Sequence, residues 1–248
     1  MKPSILRLLG HSVHQTARIR PSLILVDRLA IGPKARIGFG NIIACRRIVM
    51  RKAAYFHLLN VARGKFSIAL GENAAIGNRN NINDGPKPRP FRPAVLRLGV
   101  WSKITSNHLI NCYEDIVFGD YSTLAGRASQ IWTHGYVHYP EGLDRAVVLG
   151  KVRIGSNVYI GSMSCINPGL TIGDRIAVGA HSSIATSLRL PGVYVSQPLR
   201  YVPRVGSERL TKLQRFHGST AGPEVYWRDG GGSLVTTRTA DVAGRTRR

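Results

Sequence analysis

The stretch VRIGSNVYIGSMSCINPGLTIGDRIAVGAHSSIA, residues 152–185, decides the fold of this chain. Within it and just beyond it, an apolar residue recurs at every sixth position without a gap. A period of six matches neither the helical turn of about 3.6 residues nor the two-residue alternation of a flat strand. The series consists of Ile154, Ile160, Ile166, Ile172, Val178, Ile184 and Leu190.

A chain that forms a short strand and a turn every six residues has this period. Three such strands close one triangular coil, and stacked coils align the apolar residues in inward-facing ladders. β-Branched side chains pack well in such ladders, and the small residue that follows most of them fits a tight corner. An antiparallel sheet would alternate every two residues between hairpin signals, and residues 150–195 show neither. The hexads therefore predict an all-β fold, a left-handed parallel β-helix.

The same rhythm recurs upstream with interruptions, so we expect one solenoid of roughly seven to nine coils. A proline-rich stretch at 83–93 and a stretch rich in His, Tyr and Trp at 131–147 break it. We expect a basic amphipathic or capping helical segment over 1–24, the β-helix over 25–203 and a loose basic tail over 204–248. The upstream residues that keep step are Ile31, Ile37, Ile43 and Val49; Leu70, Ile76 and Ile82; Leu98, Ile104, Ile110 and Ile116; and Phe118 and Leu124.

The chain is strongly basic, with 35 Lys and Arg against 13 Asp and Glu and a net charge of +22 over 248 residues. The excess is concentrated toward both ends, and such a field attracts polyanions. Aromatic residues make up 7% and no nucleic-acid module is visible, so we expect no nucleic-acid partner. An anionic membrane surface, met by the basic N-terminal segment, is the favoured alternative.

The cysteines and the N-terminus predict a cytoplasmic protein, peripheral at most to the inner membrane face. Cys45, Cys112 and Cys165 are scattered, odd in number and without metal-type spacing, which is typical of reduced thiols. The sequence shows no secretory signal and no apolar run long enough to span a bilayer.

Residues 152–185, together with LGVWSKITSNHLINCYEDIVFGDYSTLAGRASQIWTHGYVH at 98–138, resemble the C-terminal coils of the hexapeptide-repeat O-acetyltransferases. That family includes galactoside, maltose, nodulation and polysaccharide acetyltransferases. The resemblance implies acetyl transfer from acetyl-CoA to a sugar hydroxyl, here of a cell-surface polysaccharide, a glycolipid or its lipid-linked precursor. The match makes His134 the general base, with His138 as the alternate. Imidazole suits this task because it titrates near neutral pH, where a sugar hydroxyl is hardly ionised.

The resemblance also implies binding residues for both substrates. Ser162 and Ala180 match positions that contact the pantetheine arm of CoA, and Arg200, in SQPLR, matches a phosphate-binding basic residue. For the sugar acceptor, Thr105 and Asn107 fall in the matching neighbourhood.

The chain departs from the family pattern after the last hexad strand. Ala185 and Thr186 stand where the family has a Thr-Lys pair, so Thr186 is retained as a CoA contact and Arg189 is a substitute for the missing charge. The histidine needs an acceptor on its far nitrogen, and a backbone carbonyl, Glu141 and Asp144 are the candidates.

The family assembles as a homotrimer whose active sites lie between subunits, and the resemblance implies the same arrangement without a metal ion. A carbonic anhydrase of the same fold is an alternative, with zinc held by His134, His138 and His181. A non-catalytic β-helix scaffold is another.

Overall fold

The structure is a computed structural model that describes residues 3–8, 10–85, 93–138, 145–196, 200–202, 214–216 and 225–227. The chain divides into two compact units, residues 1–203 and 204–248. The first unit is a parallel β-solenoid of about eight turns. In the second, the described residues form an antiparallel pair of strands, Gln214–Phe216 and Val225–Trp227.

Parallel strands stack into the three faces of the solenoid. The first face comprises β1 (Ser12–Val13), the second halves of β3 (Leu23–Ile31) and β5 (Ile42–Met50), β8 (Ser67–Leu70), β11 (Val95–Leu98), β14 (Ile116–Phe118), β19 (Val152–Ile154) and β22 (Thr171–Ile172). The second comprises β2 (Arg18–Ile19), β4 (Arg36–Ile37), β6 (Tyr55–Phe56), β9 (Ala75–Ile76), β12 (Lys103–Ile104), β15 (Thr123–Leu124), β20 (Tyr159–Ile160), β23 (Ile176–Val178), β25 (Gly192–Val195) and the antiparallel β26 (Arg200–Val202). The third comprises the first halves of β3 and β5, then β7 (Val61–Arg63), β10 (Asn81–Asn83), β13 (Leu109–Asn111), β16 (Gln130–Ile131), β21 (Cys165–Ile166) and β24 (Ser183–Ile184).

Each face contributes an inward ladder, and the three ladders form the core. Residues that are paired in register on successive coils are almost completely buried, which confirms the predicted all-β parallel β-helix. In the third face, the buried ladder runs through Ile43, Ala62, Ile82, Ile110, Ile131, Ile166 and Ile184.

The hexad prediction is wrong at two positions. Leu190 is 60% exposed, and Leu188 takes the inward place beside Ile172. Val49 is half-buried, while Met50 points inward and is 1% exposed. Counting by sixes assumes equal turns, but β5 crosses a corner as one continuous strand with an extra residue, and the last coil is shortened.

The corner between the second and third faces carries a buried polar column. Asn60 Nδ2 donates to Asn41 Oδ1 (3.0 Å), Asn80 Nδ2 donates to Asn60 Oδ1 (3.1 Å), and the backbone N–H of His108 donates to Asn80 Oδ1 (2.9 Å). The side-chain amides therefore form hydrogen bonds from one coil to the next, which gives these buried polar groups the partners that they require. Ser129, Ser164 and Ser182 continue the column.

The two interruptions lie at the corner between the third and first faces. An antiparallel hairpin, β17 (His134–His138) and β18 (Arg145–Leu149), leaves the solenoid there. The proline-rich stretch is described as far as Gly85 and again from Pro93.

The predicted N-terminal segment differs from the structure in extent. The helix, α1, spans only Pro3–Leu8, and β1 and β2 already pair within the solenoid. No helix in the described ranges has both the length and the apolar character needed to cross a bilayer.

Burial also affects the cysteines. Cys45 and Cys112 are buried and Cys165 is half-buried, and no disulfide joins them. Burial raises the pKa of Cys45 to about 12, so this thiol stays protonated.

Candidate active site

His134 opens strand β17 at the third–first corner and is held by an asparagine of the preceding coil. Its Nδ1 lies 2.7 Å from Asn111 Oδ1, and Asn111 itself is 2% exposed. Asn111 Nδ2 donates to Asn83 Oδ1 at 3.0 Å. This second bond commits the amide nitrogen of Asn111 to Asn83, so its oxygen is left to accept from the histidine.

The Asn111 bond selects one tautomer of His134. Nδ1 carries the proton and donates it to the amide oxygen, so Nε2 keeps a lone pair. Burial lowers the pKa of His134 from its usual value of 6.5, which keeps the imidazole neutral near pH 7. A neutral, oriented imidazole with a basic Nε2 is the form that a general base requires.

Thr133 fixes the backbone that leads into His134. Its hydroxyl donates to the carbonyl of Asn111 (2.8 Å) and accepts from the backbone N–H groups of Tyr113 (2.8 Å) and Glu114 (3.0 Å). Thr133 is fully buried. The hydroxyl thus ties the histidine-bearing turn to the coil that supplies Asn111.

Three aromatic rings surround the imidazole of His134. The ring centroids of Tyr113, Trp132 and Tyr136 lie 5.7, 5.9 and 5.7 Å from that of the histidine. Trp132 and Tyr136 meet the imidazole edge-on, an arrangement that aromatic rings favour. The three rings form part of the surroundings that bury the imidazole, and this burial lowers the histidine pKa.

The predicted CoA residues Ser162 and Ala180 lie at another corner, between the second and third faces. They occupy equivalent turns of successive coils, and the N–H of His181 donates to the carbonyl of Ser162 (2.8 Å). A Cβ added to Gly161 would lie 2.6 Å from the Ala180 backbone nitrogen, so the two coils pack too closely here for a side chain at position 161. The structure brings these two residues together, but not beside the His134 of the same chain.

Thr105 and Asn107 belong to the same second–third corner, on earlier coils. The Thr105 hydroxyl is already engaged, because it donates to the carbonyl of Gly126 (2.7 Å) and lies 3.0 Å from His108 Nε2. Ser129 N–H donates to Nδ1 of the same imidazole, so Nε2 carries the proton toward Thr105. Burial lowers the pKa of His108 to about 4. Thr105 therefore has a structural role, and its contact with an acceptor stays a prediction.

The remaining predicted residues lie elsewhere. Thr186 is exposed just after β24, at the third–first corner, and Arg189 is exposed in the shortened last coil. Arg200 begins β26, paired with Val195, but its side chain lies outside the described residues.

His138 ends β17, and its side chain also lies outside the described residues, as do Glu141 and Asp144. His134 and His181, two of the three residues of the zinc alternative, occupy different corners. In the described ranges no three His, Cys, Asp or Glu side chains form a group that could hold a metal ion.

Sequence reasoning missed Asn83 and Asn111. The signal was present, since each directly follows an inward isoleucine, Ile82 and Ile110, on successive coils paired in register. Equal positions on stacked coils lie next to each other, so two asparagines there predict a hydrogen-bonded pair.

Comparison with known proteins relates the repeat region to acetyltransferases. No family model matches the chain. The galactoside O-acetyltransferase of Escherichia coli (strain K12) is 30% identical over 90 residues, which is 36% of this chain and 44% of that protein. The matched stretch of the repeat region is thus similar to part of an acetyltransferase. The chain spans less than half the length of the curated acetyltransferases that it matches.

Solved structures with a similar course were also found. The polysialic acid O-acetyltransferase OatWY is 17% identical, with a TM-score of 0.49 over 85% of this chain and 90% of that one. The polySia-specific acetyltransferase NeuO is 14% identical, with a TM-score of 0.48 over 78% and 86%.

Proposed function

We propose that this protein is an acetyl-CoA-dependent O-acetyltransferase that acetylates a sugar hydroxyl, with His134 as general base. The observation that carries the proposal is the 2.7 Å bond from His134 Nδ1 to Asn111 Oδ1, because it leaves Nε2 basic and fixed in direction. The sequence likeness to an acetyltransferase of galactosides supports a sugar as acceptor.

In the proposed reaction, His134 Nε2 takes the proton of the sugar hydroxyl as its oxygen attacks the thioester carbonyl carbon. The C–S bond then breaks, and the imidazolium returns the proton to the departing CoA sulfur. Asn111 stabilises the imidazolium because its Oδ1 accepts a hydrogen bond from Nδ1–H throughout, and the aromatic rings shield the thioester from water.

We infer that the complete site forms between subunits of a homotrimer. His134 and the pair Ser162 and Ala180 lie at opposite edges of the third face, so one chain does not unite them. Three copies around a three-fold axis bring one edge of each copy against the other edge of its neighbour. The described strands of the third face present one charged residue, Arg63, and expose Leu23 and Leu25 by 52% and 59%. A nearly uncharged face with exposed leucines is suited to burial between copies.

The acetyl donor, the cytoplasmic location and the contact of the basic ends with an anionic membrane are part of the same proposal. The donor is tested by thermal shift, since acetyl-CoA at about 100 times its Kd stabilises a folded protein by roughly 2.7 kcal/mol. No stabilisation by acetyl-CoA would contradict the proposal.

The base is tested by thiol release from acetyl-CoA with a panel of sugar acceptors. His134→Ala is expected to lose about 10²- to 10⁴-fold in kcat/KM, the usual contribution of a positioned base. His138→Ala, four residues along the same hairpin, is the matched control and is expected to keep most of the activity. Wild-type turnover by His134→Ala would remove the histidine from the mechanism.

The intersubunit site is tested by mixing two inactive variants. His134→Ala supplies intact CoA walls, and Ala180→Trp supplies an intact histidine corner, so refolding them together assembles some sites from two sound halves. Recovered activity in the mixture supports the trimer. A mixture that stays inactive although it co-assembles would contradict it.

A further inference from the structure

The first face carries positive charge without any acid. Its described strands contain four arginines, no Asp or Glu, and no outward aromatic residue. These arginines are all exposed; they are Arg28, Arg47, Arg97 and Arg153. The strands of the second face contain four basic residues, spread from the first coil to the last, and those of the third face one.

The four arginines of this face are unpaired within the described part of the chain. None of them makes an ion pair or a side-chain hydrogen bond with a described residue. Three acids at the two flanking corners pair with other bases: Asp27 with Arg46 (3.7 Å), Glu72 with Lys52 (3.1 Å) and Asp115 with Lys151 (3.7 Å). Two more, Asp120 and Asp174, accept hydrogen bonds from backbone N–H groups at 2.7 Å.

The arginines follow the axis of the solenoid. Arg28 pairs in register with Arg47, and two residues across the face Arg97 and Arg153 share one row, with Val117 between them. Two strand spacings separate Arg97 from Arg153, about 10 Å. The four arginines therefore form a track of two neighbouring rows along the solenoid axis.

The floor of this track is shallow and made of small groups. A groove on the first face is lined by Arg47, Arg51 and Arg97 around Ser67 and Ala69. A second depression further along the axis is lined by Arg153 together with Val117, Gly119 and Thr171, and Asp174 lies at its edge. An extended chain fits such a surface better than a compact ligand does.

We propose that the first face binds an acidic polysaccharide, laid along the solenoid axis with its carboxylates on the arginines. Arginine suits this task because its planar fork binds a carboxylate through two hydrogen bonds. The track leads to the reactive corner, since Arg153 lies in the strand that directly follows the hairpin of His134. That the bound polysaccharide is also the acetyl acceptor rests on the proposed function, whereas its binding to the first face does not.

Two other polyanions fit the face less well. A membrane surface calls for exposed large apolar side chains, and the strands of the first face expose none. Single-stranded nucleic acid calls for aromatic rings on which bases stack, and these strands present no outward aromatic residue.

The test is equilibrium binding without acetyl-CoA, using the full chain and a fluorescent oligogalacturonate, with a neutral dextran oligomer of equal length as control. Arg97→Glu/Arg153→Glu is compared with Arg18→Glu/Arg36→Glu, which makes the same change of charge on exposed arginines of the second face. We expect the first pair to weaken binding at least about tenfold and the second about twofold or less. Arg97→Gln/Arg153→Gln, which removes the charges without reversing them, should weaken binding to an intermediate degree and lower its salt dependence.

Several results would overturn the proposal. These are equal losses for both glutamate pairs, equal binding of dextran, and tighter binding of single-stranded RNA or of phosphatidylglycerol vesicles with the same pattern among variants. Thiol release from acetyl-CoA with a small neutral sugar as acceptor is measured in parallel. If that activity is present while oligogalacturonate binding fails, the face is refuted and the transferase function stands; the reverse result refutes the transferase alone.

Discussion

Replacing Asn111 by Asp tests whether the amide bonded to His134 works as the structure indicates. Asp is nearly isosteric with Asn, so the 2.7 Å contact to Nδ1 is kept while a neutral acceptor becomes a carboxylate. Asn83 can turn its amide to donate to the new carboxylate, because the competing contact of its Nδ2 with Asn81 Oδ1 is long, at 3.5 Å. The substitution therefore changes charge with little change in shape.

The expected effect is a rise in the pKa of His134. In the wild type, burial lowers that pKa below 6.5, and since the base must be neutral, activity falls only as the pH drops through the lowered value. An opposite charge within hydrogen-bond distance raises a histidine pKa by about 1–3 units, and half-burial of the ring places the expectation at about 1–2. The acid limb of activity should move to higher pH by that amount.

The assay is the pH dependence of kcat/KM for acetyl transfer, which reports the ionisation of the free enzyme. Asn83→Asp puts the same charge one hydrogen bond further from the imidazole, and its shift should be smaller. Asn111→Ala should lower kcat/KM without moving the acid limb upward. An unchanged or downward limb in Asn111→Asp would refute the role given to this amide.

Three further predictions concern the solenoid. His108→Asn continues the asparagine column and should make the protein less sensitive to acid. The pKa of His108 is about 4 in the folded protein and 6.5 in the unfolded chain, so wild-type stability falls as the pH drops from 6.5 to 4. That loss is about 3 kcal/mol at most, and urea unfolding at several pH values measures it; equal pH slopes in both proteins would count against the buried neutral imidazole. Leu188→Ala should lower the free energy of unfolding by about 2–4 kcal/mol and Leu190→Ala by under about 0.5 kcal/mol, as measured by chemical denaturation. A larger loss for Leu190→Ala would mean that Leu190 faces the core, as counting by sixes predicts. Gly119→Ala should destabilise by about 1–3 kcal/mol because its Cβ meets backbone of the next coil at 2.6 Å, whereas Gly173→Ala, with its nearest atom at 3.2 Å, should cost less; equal melting temperatures would contradict the packing.

The inward ladders could be predicted from the sequence because their period is a local property. Each hexad places one apolar side chain in the core regardless of the coils around it, so Ile154 to Ile184 needed no tertiary information. Where a turn gained or lost a residue, as before Met50 and Leu188, counting failed because the extra residue changes which side chain faces inward.

His134 was singled out from the sequence because it matches the histidine-bearing stretch of the family, and its role stays a prediction. The hexads could have indicated the Asn83–Asn111 pair, but not that Asn111 contacts His134, which lies 23 residues away in the sequence. Coils of unequal length separate them, and which turn stacks on which depends on how many residues each insertion contains.

For the charge of the first face, too, the sequence determined one part and the tertiary structure decided the other. The sequence by itself determined that the chain is strongly basic and that short strands alternate inward and outward residues. Only the stacking of coils decided that Arg97 and Arg153 share one row and that Asp115 pairs with Lys151. Periodicity along the chain fixes which residues face outward, whereas their neighbours across the coils are set by the register of pairing.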